Sequence, residues 1–146
     1  MRQFTHTFEL PTDPATALPL FTPRGEEAWV PGWKPDYLHP KTGETGRGMV
    51  FTTKDKSGKT IVWTCLDYLP AIGIARYFRA VSDHQASLVE VTCTSLHEGT
   101  TTVRVSYRHL PLSPEGAADI EALREDDFRR DVDGWRDLVM PHLSAA

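Results

Sequence analysis

The 146-residue chain has no apolar run approaching the roughly 20 residues that a bilayer-spanning helix needs, so no membrane insertion is expected. Its opening residues, MRQFTHTFEL, lack the apolar core of a secretory leader, which makes a cytoplasmic location the expectation. Cysteine is scarce. Cys65 and Cys93 are the only two, both inside strand-like runs, and reduced buried thiols are the expected state rather than a disulfide. The six histidines never fall at H-x-H or H-x-x-x-H spacing, so there is no local metal signature and no metal or other cofactor is expected. Basic patches and basic amphipathic helices are also missing, which argues against nucleic acid or a membrane surface as partner. The net charge of −4 is a local effect. Glu115–Asp137 holds nine acids and four arginines, net −5, and the remainder sums to +1.

What is present suits one soluble domain spanning residues 1–146, with 40% apolar and 25% charged residues. A chain of this length buries about 68–70% of its unfolded surface. Arg2–Leu10 alternates, with Phe4, His6, Phe8 and Leu10 on one face, as a strand with one buried side does. Thr12 or Asp13 can cap a short helix running to about Phe21, with Pro14 in its first turn. A second helical turn fits Arg24–Val30, ended by Pro31-Gly32, and residues 34–48 read as loop.

From Gly48 to Leu110 the pattern is strands and turns: 49–53, 60–69, 72–81, 85–96 and 100–110. The last two flank His97-Glu98-Gly99, which suits a type I turn followed by a left-handed glycine. That turn sets Cys93 opposite Val103, Val91 opposite Val105, Val89 opposite Tyr107 and Ser87 opposite His109, a mostly apolar face. Trp63, Cys65, Tyr77 and Arg79 share one face of the preceding pair; Val62, Leu66, Ile74 and Phe78 share the other. Either face could point inward, with the Trp63 face the preferred choice. After Pro111 and Pro114, the periodicity predicts one long helix from Ser113 or Pro114 to about Leu143. Tight reversals between consecutive strands require an antiparallel sheet, and only that helix is large enough to cover one of its faces.

This order of elements resembles the helix-grip fold of the START/SRPBCC superfamily of polyketide cyclases and lipid-transfer domains. The segment FTPRGEEAWVPGW, residues 21–33, is similar to a stretch found in a bacterial SRPBCC branch. The resemblance implies an α+β fold: a curved antiparallel sheet of about six strands wrapped around a long C-terminal helix, with two short helices after the first strand. It also implies a cavity between sheet and helix. The superfamily contains enzymes, carriers and cochaperones, so it leaves function open.

On the long helix, Arg124 and Asp131 fall inside the apolar stripe that also carries Phe128, Trp135 and Val139. Either they snorkel outward along its edge, or the helix faces a wet cavity in which they are polar fixtures. Trp29 and Trp33 sit in a proline-stiffened loop, as the lid of such a cavity or as the plug of a dry core. The candidate ligand-binding residues are therefore Trp29, Trp33, Trp63, Tyr77, Tyr107, His109, Arg124, Asp131 and Trp135, with no catalytic residue assigned. The leading expectation is a binder of a small hydrophobic or aromatic molecule of polyketide, lipid or phenolic type. The alternatives are a polyketide cyclase or dehydratase, with His109, Tyr107, Asp131 and Arg124 as acid–base candidates, and a protein-partner module of the Hsp90-activator kind. The sequence is compatible with a homodimer and does not decide it.

Overall fold

A computed structural model describes residues 1–143. Strand β1 (Arg2–Leu10) leads through Asp13, whose side chain accepts from the Thr16 amide, into a single helical turn, α1 (Pro14–Ala17), and a 3₁₀ turn over Leu18–Phe21. A second single turn, α2 (Pro23–Glu26), is capped by Thr22. Six more strands follow: β2 (Asp36–His39), β3 (Val50–Lys54), β4 (Thr60–Leu69), β5 (Ile74–Val81), β6 (Gln85–His97) and β7 (Thr100–Pro111). Two helices close the chain, α3 (Pro114–Glu121) and α4 (Glu125–Val139), with a final 3₁₀ turn over Met140–His142. The fold is α+β, a seven-stranded antiparallel sheet in the order β1-β7-β6-β5-β4-β3-β2.

The β6–β7 hairpin has the register that its turn dictates, with Cys93 opposite Val103, Val89 opposite Tyr107 and Ser87 opposite His109. Gly99 takes the left-handed conformation that the turn needs. On β4 and β5 the Trp63 face is the inner one. Trp63, Cys65 and Tyr77 are buried, whereas Val62 is 48% exposed. The thiols of Cys65 and Cys93 are free and buried, pushed up to about 11 and about 12 by loss of solvation.

Two expectations are corrected. Residues 36–39, read as loop, form the edge strand β2 on β3; four residues, mostly exposed, carry too little alternation to be seen in sequence. The single C-terminal helix is two helices. Arg2 reaches across from β1 and donates through Nη1 to the carbonyl oxygens of Ile120 (3.2 Å), Glu121 (3.1 Å) and Leu123. The Ile120 carbonyl also accepts from the Leu123 amide (3.1 Å), so a cation from another element joins the last carbonyls of α3 at an end that no glycine or proline marks. Glu125, Asp126 and Asp127 then supply negative charge to the first turn of α4.

Within α4 the inward side keeps Phe128, Trp135 and Val139 from the predicted stripe and adds Val132. Val132 and Val139 are buried, with Phe128 and Trp135 partly so, against a core that includes Phe8, Leu10, Phe21, Val91, Val103 and Val105. The helix lies mainly along β1, joined to it by His6 Nε2–Asp133 Oδ1 (2.7 Å) and by Arg136 Nε donating to the Glu9 carbonyl (3.0 Å).

Candidate functional site

Between α2, the inner face of the sheet and α4 lies a cavity of about 140 Å³. Its wall is Phe21, Pro23, Glu26 and Val30 from the loop side, and Phe51, Trp63, Tyr77, Arg79, Val89, Val91 and Tyr107 from the sheet. Trp33 and Trp135 complete it.

The segment 21–33 forms one end and is tied to itself. Thr22 Oγ1 accepts from the Gly25 amide (3.0 Å) and donates to the Pro19 carbonyl (2.7 Å). The Trp29 and Trp33 indole N–H groups donate to the carbonyls of Leu20 (2.7 Å) and Pro23 (2.9 Å). Gly25 lies so close to the preceding turn that a Cβ there would sit 1.9 Å from the Pro19 oxygen. The segment is also pinned from outside: Tyr37 Oη donates to Glu27 Oε2 (2.5 Å), and Arg24 pairs with Glu27 (2.9 Å) over the Tyr37 ring. A segment without long regular structure is thereby held as a rigid aromatic wall.

On the sheet side, Phe51 and Trp63 stack with ring centroids 5.5 Å apart, and Trp33 meets both edge-on at 6.0 and 5.7 Å. Trp63 Nε1 donates to Thr53 Oγ1 (3.0 Å), and Tyr77 Oη donates to the Phe21 carbonyl (3.2 Å). The Arg79 guanidinium carbon lies 5.3 Å from the Trp63 centroid and 5.1 Å from that of Tyr107.

Five predicted residues, Trp33, Trp63, Tyr77, Tyr107 and Trp135, line the cavity. The other four do not. Trp29 is buried behind the wall, against Phe21 (5.7 Å) and Trp135 (5.8 Å). His109 is buried farther along β7, its Nδ1 2.9 Å from Ser87 Oγ, and burial together with Arg79 and Arg2 pushes it down to about 4. Arg124 is exposed in the extended link between α3 and α4, outside any helical stripe, because the chain breaks there. Asp131 is exposed on α4 at the edge of its buried side, close enough to Tyr107 to raise its hydroxyl, but it does not line the cavity.

Two polar wall residues escaped sequence reasoning as site residues. Arg79 stands on the Trp63 face, as alternation predicts, but is not among the predicted site residues. Glu26 carried no signal, since a four-residue helix has no readable periodicity. The Glu26 residue keeps some accessible surface, yet its carboxyl is enclosed on nearly all sides, so that surface belongs to the cavity wall. Loss of solvation pushes this carboxyl up to about 8, and it makes no hydrogen bond or ion pair among the described residues. At neutral pH it is mostly protonated. Burial likewise raises the Tyr77 and Tyr107 hydroxyls, which stay neutral.

Away from the cavity, His84, Glu115 and Asp119 bring ligand-type atoms within 4.8 Å of one another, and His84 Nε2 lies 2.9 Å from Asp119 Oδ2. Both acids are exposed.

No protein-family model and no curated protein sequence matches the chain. Solved structures do. Norcoclaurine synthase from Thalictrum flavum, in complex with dopamine and hydroxybenzaldehyde, superposes with a TM-score of 0.69 at 12% identity, over 97% of this chain and 87% of that one. A hypothetical protein from Helicobacter pylori superposes at 0.73 and 9% identity, over 97% and 87%. The di-domain ARO/CYC BexL of the BE-7585A biosynthetic pathway superposes at 0.70 and 15% identity, over 95% of this chain and 46% of that one. The chain has the helix-grip fold. In helix-grip terms, α4 is the gripped helix, the sheet is the hand, and the 21–33 segment closes one end of the space between them.

Proposed function

We propose that the protein binds one small aromatic molecule, a single ring bearing polar substituents, in the cavity between sheet and α4. The observation that carries this reading is the wall itself: seven aromatic rings from the 21–33 segment, strands β3, β4, β5 and β7, and α4 surround a space left open by the packing. At about 140 Å³ the space matches the roughly 150 Å³ engineered cavity that takes up benzene. That size favours a single-ring ligand of the phenolic class over a fused polyketide or a fatty chain. Drug-sized ligands occupy about 300 Å³ or more. Dopamine and hydroxybenzaldehyde, bound by the norcoclaurine synthase of similar fold, are single-ring phenols, in keeping with this size argument.

The test is quenching of intrinsic tryptophan fluorescence, since Trp33, Trp63 and Trp135 all face the cavity. Phenol, 4-hydroxybenzaldehyde, benzoate and a long-chain fatty acid form the panel. Saturable quenching by the single-ring compounds and none by the fatty acid is expected. The Val91→Phe variant, which fills the space from β6, loses the response while keeping its far-UV circular dichroism; overpacking of this kind costs about 1–3 kcal/mol of stability. Equal quenching in wild type and filled variant removes the proposal.

One observation favours a second reading, an enzyme. The Glu26 carboxyl, shifted to about 8, is matched to proton transfer near neutral pH and stands unpaired in the cavity. An enzymatic role requires that Glu26→Gln abolish turnover of a bound substrate while leaving its binding intact.

A further inference from the structure

We infer that the cavity's ligand is an aromatic acid, and that Arg79 is the residue that binds its carboxylate. The inference rests on the ligand-binding reading above and names the class of molecule that the site would take.

Alternation on β5 turns Arg79 to the inner face, opposite Trp63 on β4 and Ser87 on β6. Its guanidinium lies against the rings of Trp63 and Tyr107, so its orientation is fixed by packing. Among the described residues it donates no hydrogen bond and has no carboxylate within 4.0 Å. Arg24, Arg76, Arg129 and Arg130, by contrast, are all paired with acids. Five donors in a planar fork therefore stand unused in the wall of an apolar cavity. A carboxylate is the group whose geometry that fork matches in a bidentate way.

The surroundings favour a negative guest. Glu26 lines the same cavity without reaching Arg79, and in its protonated form it offers a hydrogen-bond donor. Tyr77 and Tyr107 are neutral, and so is His109, two strands over from Arg79 beyond Ser87. At neutral pH the cavity wall thus carries one uncompensated positive charge. Above about pH 8 the Glu26 carboxylate, to which Tyr37, Tyr77 and Tyr107 are also exposed electrostatically, adds a negative charge that opposes the guest.

Titration calorimetry with benzoate, 4-hydroxybenzoate and benzamide separates the possibilities. Benzamide has the size and shape of benzoate without its charge. Benzoate and 4-hydroxybenzoate are expected to bind at least ten-fold more tightly than benzamide at pH 6.5, and benzoate to weaken several-fold by pH 9. In Arg79→Gln the preference over benzamide disappears while benzamide binding stays within about three-fold of wild type; Arg79→Lys retains part of the preference. Benzamide binding as well as benzoate in the wild-type protein overturns the inference and leaves the cavity reading standing. Failure of all three to bind overturns both.

Discussion

Glu26 and His109 are both buried ionisable groups with no opposite charge paired to them, and their effects on stability run in opposite directions. The Glu26 carboxyl, raised from 4.5 to about 8, is protonated in the folded chain where the unfolded chain has released its proton. Its stabilising share is complete below about pH 4.5 and is lost as pH rises toward 8. Glu26→Gln removes this dependence. Relative to wild type, the variant should gain roughly 2–4 kcal/mol between pH 5 and pH 8, read from urea unfolding at the two pH values. Equal gains at both would mean that the carboxyl is solvated after all. His109 is lowered to about 4, so its neutral form stabilises above about pH 6.5 and that share is lost as pH falls toward 4.

At the scale of elements, the 21–33 segment works as a unit because each of its residue types has a mechanical reason. Thr22 caps, Pro23 starts the turn, Gly25 permits close approach to Pro19, and the two indoles tie the ends back. Gly25→Ala would drive a methyl into backbone, which cannot move aside as a flexible side chain can. A loss of roughly 2–4 kcal/mol is expected in chemical denaturation, with altered tryptophan fluorescence because α2 carries part of the cavity wall. The α3–α4 junction is the second such unit. Arg2→Met removes the cation that holds the carbonyls of Ile120, Glu121 and Leu123. Faster amide hydrogen exchange confined to about residues 118–126, with a Tm several degrees lower, is the expected outcome. An unchanged exchange pattern there would mean that the break is set by local sequence alone.

Across the whole molecule, the opposed Glu26 and His109 dependences set the shape of the pH–stability curve. Between about pH 4.5 and 6.5 they offset each other. From 6.5 to 8 only Glu26 titrates between its two states, and stability falls. Below 4.5 the last of the His109 share is lost, joined by Asp13, Asp55 and Glu27, whose carboxyls are held low by hydrogen bonds. The wild-type Tm should therefore be highest on the acid side of neutrality and drop between pH 6.5 and 8, a drop absent in Glu26→Gln. Differential scanning calorimetry across this range measures it directly. The outer face of the sheet also belongs at this scale. Exposed Val62 and Leu66 are interrupted there by the Asp67–Arg76–Glu90–Arg104 ladder of charges, which keeps the apolar surface from becoming continuous.

The sequence by itself determined the strands from β3 to β7 and the β6–β7 register, because period-two alternation and turn chemistry act between near neighbours in the chain. It also determined that large rings on β4, β5 and β7 share a face, and that the 21–33 segment has to fold over something. What it did not contain was the orientation of Glu26, carried on a helix too short to show a period, or the break before α4. At that break Arg2, from the other end of the sequence, holds carbonyls that no local pattern marks. The break takes Arg124 out of any helix, while Asp131 stays exposed at the edge of a buried side centred on Phe128, Val132, Trp135 and Val139. The empty space itself is decided only in three dimensions. Its wall draws on the 21–33 segment, five strands from β3 to β7 and α4, so it belongs to no single stretch of residues.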